Sequence, residues 1–128
     1  MVIFMMYYVC IFFTHHLLFF SRQLEKLVTA IAAINADLLG MLELENDFGA
    51  AEGDDCTLKT LVDAVNARVG ADTYAYVWPG GRYVDPSDVI SVGMMYKPAV
   101  FTMVGSPGIL TDANLPDGAP PAPVFDGK

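Results

Sequence analysis

The segment Ala36 to Asn46, ADLLGMLELEN, constrains the fold most, because its near-continuous apolar run from Leu38 to Leu42 has the pattern of a strand buried on both faces. The carboxylates Glu43 and Glu45 begin where that strand should emerge from the core. A rigid strand end fixes where an acidic side chain points. Hard cations such as magnesium are held by one or two carboxylates, with waters and substrate phosphate completing the shell. Two readings follow: a metal ligand, or solvation of a strand end.

Composition narrows the function classes. The 128 residues fit one domain of ordinary size, and 54% apolar residues can fill a sizeable core. Fifteen acidic against seven basic residues give a net charge of -8, which argues against sequence-independent nucleic-acid binding through a basic face. The acids Glu43, Glu45, Asp47, Glu52, Asp54 and Asp55 crowd one stretch, as a cation site or as a solvated loop. Two cysteines, Cys10 and Cys56, permit one disulfide if the fold brings their backbones within about 7 Å. His15 and His16 are adjacent, so their rings diverge on a strand or helix, and no cysteine pair has zinc spacing.

Residues 1–20 carry no charge with the histidines neutral, and they are dense in Phe, Tyr, Ile, Leu and Met. That length is near the roughly 20 residues that span a bilayer, while the basic start and small-residue cleavage site of a signal peptide are missing. The segment reads either as a membrane anchor or as a mis-assigned start. Arg22 to Asn35 then places Leu24, Leu27, Val28, Ile31 and Ile34 on one helical face, with Ser21 as a cap. A second helix begins at Thr57, with Leu58, Leu61, Val62, Val65 and Val69 on its apolar face and Gly70 at its end.

Thr73 to Trp78 reads as a strand, Pro79-Gly80-Gly81 as a turn, Val89 to Tyr96 as another strand, and Val100 to Val104 as an antiparallel return. This order fits an α+β or mixed α/β layer rather than a bundle or barrel. Six of the eight prolines lie at or beyond Pro98. The expected division is an apolar segment at 1–20, a folded portion at 21–104, and a Pro/Gly-rich loop or severed tail at 105–128.

Four segments in this order, FSRQLEKLVTAI, ADLLGMLELEN, LKTLVDAVNARVGADTYAYV and DVISVGMMYKPAVFTMVG, resemble the endonuclease/exonuclease/phosphatase superfamily, most closely its bacterial extracellular nuclease branch. The resemblance runs from about Phe20 to Val104. It implies a four-layered α/β/β/α sandwich, of which this chain supplies about one sheet with its outer helices. It also implies a secreted, divalent-metal-dependent nuclease that uses Mg2+, Mn2+ or Ca2+ and acts on DNA or RNA. Glu43 matches the metal-binding acid of that pattern, and Glu45 and Asn46 match the residues that orient the loop and the ligand shell. Asp88 takes the place of an acid before the next strand, or is a plain turn residue beside Pro86 and Ser87. Arg82 and Tyr83 occupy a loop that contacts phosphate in relatives, or are ordinary surface residues.

The chain also departs from the pattern. No asparagine precedes Ser21, where the first strand of relatives carries one near the metal, and the downstream aspartate-asparagine and aspartate-histidine pairs are absent. The catalytic residues of such an enzyme are therefore unassigned in this chain. The expectation is an N-terminal fragment without phosphodiesterase activity, whose uncovered sheet face promotes self-association. The alternative is a membrane-anchored small acidic interaction domain without catalysis.

Overall fold

The computed structural model describes residues 2–5, 17–81 and 89–108. Their elements are β1 (Val2–Met5), α1 (Leu17–Ile34), β2 (Leu38–Glu45), α2 (Thr57–Val69), β3 (Ala75–Tyr76) and β4 (Ile90–Tyr96). The sheet order is β1-β2-β4-β3, with β4 antiparallel to both its neighbours and β1 parallel to β2. The class is α+β, as the order of motifs predicts.

Helix α1 starts at Leu17 rather than at Ser21, so the last residues of the apolar N-terminal segment belong to the helix and Val2–Met5 forms a strand beside β2. Ser21 is a competent cap, but a helix already under way has no need of one. Residues 6–16, with Cys10, His15 and His16, lie outside the described residues. Among those described, no helix is long and apolar enough to cross a membrane. Asn35 ends α1 in the left-handed region (φ 50°), donating its N–H to Ile31 at 2.9 Å. Asparagine tolerates that conformation better than most residues, and it turns the chain into β2.

Helix α2 is fixed at its start by two groups. The Cys56 sulfur accepts from the Lys59 N–H at 3.4 Å, and the Asp47 carboxylate accepts from both the N–H and the hydroxyl of Thr57 at 2.8 Å each. These contacts satisfy amide donors that a helix N-terminus leaves unpaired. At the other end Gly70 closes on Asn66 with a 2.9 Å backbone bond, at the predicted stop.

Both helices cover one face of the sheet. Val28 and Ile31 of α1, Leu58, Leu61, Val62 and Val65 of α2, and Leu39, Met41, Leu44 and Met95 of the sheet form one buried cluster. Gly93 leaves room for the core here: a Cβ would lie 2.5 Å from Leu44 Cδ1 and 2.8 Å from Leu58 Cδ2, so those side-chain ends would have to move. The start of β2 and the end of β4 are tied by Lys97, whose ammonium donates to Asp37 (3.0 Å) and to the carbonyl (3.0 Å) and side-chain oxygen (2.8 Å) of Asn35. Tyr74 donates its hydroxyl to the Ala36 carbonyl at 2.7 Å, and its backbone is held by both ends of the Asn66 amide.

Among the described residues, the opposite face has no such cover. Leu42, Ile90, Val92 and Met94 are 37–47% exposed, although all are large and apolar. The expected strand at Val100 to Val104 does not form. Val100 and Phe101 both donate to the Lys97 carbonyl (2.9 and 3.0 Å) in a tight turn, and residues 102–106 are exposed with no strand partner among the described residues.

Candidate functional site

Strand pairing places a β-bulge at the candidate acid. The register runs Leu39↔Met95, Gly40↔Met94, Met41↔Gly93, then resumes at Leu44↔Ser91 and Glu45↔Ile90. Leu42 and Glu43 therefore stand together opposite Val92, the two-against-one count of a bulge. Uninterrupted alternation from Leu39 and Met41 would send Glu43 and Glu45 into the apolar core. The extra residue shifts the count by one, so Leu44 takes the inward place at 3% exposure and both glutamates stay half-buried.

This shift has a conformational cost. Glu43 adopts φ 59°, a left-handed conformation that costs a non-glycine residue on the order of 1–2 kcal/mol. Burying two unpaired carboxylates would cost several times more, so the bulge is the cheaper arrangement. That comparison explains the bulge but not the residue. Glycine would satisfy the same backbone without strain, and among the described residues no hydrogen bond or ion pair ends on the Glu43 carboxylate. A strained residue with an unengaged acidic group at a strand end points to use of the side chain.

Two buried polar residues lie near the bulge. Asn46 (5% exposed) and Ser91 (7%) are the buried polar residues among those described. Asn46 donates its backbone N–H to Val89 at 3.1 Å, and the Ser91 hydroxyl lies 3.3 Å from the Leu44 carbonyl and 3.2 Å from that of Glu45. Sequence reasoning assigns Asn46 to this neighbourhood but passes over Ser91, which looks like one small residue in a strand of valines and methionines.

The acids after Glu45 divide. Asp47 is an anchor for α2, Asp54 accepts from the Ala51 N–H at 3.0 Å, and Glu52 and Asp55 are exposed. The loop is folded against the sheet edge, with Trp78 donating to the Gly49 carbonyl and Tyr76 accepting from the Gly53 N–H, both at 3.3 Å. Among the described residues, no three of His, Cys, Asp and Glu are grouped to hold a metal ion. Glu43 therefore stands as a carboxylate outside any such group. Arg82, Tyr83 and Asp88 lie outside the described residues.

Burial pushes the Cys56 thiol up, which disfavours the reactive thiolate, and Cys56 is a free, buried thiol that packs in the core. Burial likewise raises Tyr74 and Tyr76, while the hydrogen bond from Lys59 to Asp63 raises the lysine. No family model matches this chain, and no curated protein or solved structure matches it.

Proposed function

We propose that this chain supplies one sheet and one metal-binding carboxylate, Glu43, to a divalent-metal-dependent phosphodiester hydrolase, a nuclease acting on DNA or RNA. The observation that carries the reading is the left-handed Glu43 at a β-bulge, with an acidic side chain that has no structural partner among the described residues. When bound, magnesium or manganese would polarise a phosphoryl oxygen and stabilise charge on the leaving oxygen. Glu43 would hold the ion, and the ordered Asn46 beneath it would keep the strand end in place.

The uncovered face supports the architectural half of the proposal. A sheet with helices on one side and Leu42, Ile90, Val92 and Met94 bare on the other matches one half of an α/β/β/α sandwich, whose second sheet would cover those residues. The same bare face favours a second reading, a noncatalytic acidic interaction domain, in which a partner covers it.

Manganese titration of the full chain, followed by paramagnetic broadening of Glu43 resonances, tests the assignment. Broadening centred on Glu43 and lost in Glu43→Gln is expected. Binding that is unchanged by this substitution would overturn it. The purified chain should show no phosphodiester turnover; activity that survives purification and disappears in Glu43→Ala would overturn that expectation.

A further inference from the structure

We propose that the outer edge of β3 is a docking site for an extended segment of another protein, one that alternates basic and apolar residues and joins the sheet as a further strand.

Strand β3 stands last in the order β1-β2-β4-β3, so one of its sides has no strand partner among the described residues. The ladder with β4 fixes which way each backbone group points. Ala75 faces Tyr96, Tyr76 faces Met95, and the Val77 N–H donates to the Met94 carbonyl at 2.9 Å. Successive residues of a strand turn their N–H and C=O to opposite sides, so Tyr74 and Tyr76 present theirs outward. Trp78 is next in that alternation.

The fold treats these outward positions differently. At Tyr74 the Asn66 side chain stands in for a neighbouring strand: its Nδ2 donates to the Tyr74 carbonyl and its Oδ1 accepts from the Tyr74 N–H, both at 2.9 Å. At Tyr76 no described residue bonds the backbone N–H or carbonyl, and the bond from Gly53 ends on the hydroxyl. Residues 75–78 include no lysine or proline, the residues that commonly blunt an edge. Asn66 therefore sets one limit of the open edge and Pro79, which has no N–H, sets the other.

The surroundings decide what an added strand carries. A residue opposite Tyr76 turns its side chain to the helix-covered side, where Tyr76 and Trp78 hold the 47–56 loop and Glu52, Asp54 and Asp55 are exposed. Asp63, also exposed, lies one turn before Asn66 on the side of α2 that reaches this edge. Acids there favour lysine or arginine. The flanking residues of the added strand turn to the uncovered face beside Val77, whose cross-strand neighbour Met94 is 37% exposed, and an apolar side chain suits that place. A second copy does not fit, because pairing two β3 edges would set like acidic loops against each other in a chain of net charge -8. None of this depends on the role of Glu43.

The test titrates the full 15N-labelled chain with a capped peptide that alternates lysine and valine. Shifts should centre on the Tyr76 and Trp78 amides. In the proposed pairing the lysine N–H groups face β3 and the valine N–H groups face away. N-methylation of the lysine backbone amides, which keeps every charge, should therefore weaken binding about tenfold, the size of two lost hydrogen bonds. N-methylation of the valine amides should leave it unchanged. Glu52→Gln combined with Asp55→Asn should weaken binding about threefold, as exposed ion pairs do. Equal binding by the two methylated peptides would mean that charge alone holds the segment and would overturn the proposal. So would shifts centred away from β3, or peptide-free shifts at Tyr76 that grow with protein concentration, which would assign the edge to a second copy.

Discussion

Leu39 and Leu42 lie three residues apart on one strand and meet different surroundings: Leu39 is fully buried beneath the helices, while Leu42 is 40% exposed on the opposite face. The difference separates what this sheet needs to fold from what it leaves for something else to cover. One face is a finished core that includes both helices. The other is apolar in composition and unfinished in packing.

The sharpest way to break this comparison is the same substitution at both positions. Leu39→Ala removes a side chain with no room to relax and should cost roughly 2–5 kcal/mol, whereas Leu42→Ala should cost about 1 kcal/mol, as a side chain already partly in water. Urea denaturation of the two variants checks the contrast. Equal losses would mean that the second face is covered in solution, for example by a second copy. Gly93→Ala should follow at roughly 1–3 kcal/mol, since the new methyl group must push aside the ends of Leu44 and Leu58 on the finished face.

The two faces also differ in how well the sequence foretells them. Helical spacing names the apolar sides of α1 and α2, Gly70 marks the end of α2, and the run Leu38–Leu42 marks the central strand. These features are local, so local pattern suffices. The bulge is not legible in the same way, because Met41, Glu43 and Glu45 form an unbroken alternation, and the break in register shows only in the pairing with β4, a strand about fifty residues away. Val100–Val104 misleads for a related reason. Its residues suit a strand, but β propensity expresses packing against neighbours, and after the turn at Lys97 the segment has no strand partner among the described residues. Asp47 reads as one acid among many until Thr57 is brought beside it.

Glu43 sits where the two faces exchange residues, and its substitution should have a smaller effect of opposite sign. Glu43→Gly removes the left-handed strain of on the order of 1–2 kcal/mol, and a more flexible unfolded chain returns part of it. A net gain of about 0.5–1 kcal/mol in urea denaturation is expected, while Glu43→Ala, which keeps the strain, should change little. A loss of stability in Glu43→Gly would show that the side chain packs for structural reasons and would remove the main support for its use as a ligand.

The smallest effect on the monomer belongs to the open face itself. Val92→Thr keeps the branched shape that suits a strand and exchanges a methyl for a hydroxyl at a position 47% exposed, so water can solvate the new group. Folding stability should move by no more than about 0.5 kcal/mol. Association is the more sensitive readout. Ile90 and Val92 lie on the same side of β4, and the pair Ile90→Thr with Val92→Thr lowers the apolar area that a second copy could bury. Sedimentation velocity should therefore show the unmodified chain self-associating as concentration rises and the double variant staying monomeric at the same concentrations. If both associate alike, contact between copies runs through another surface, and the bare sheet face must be explained without it.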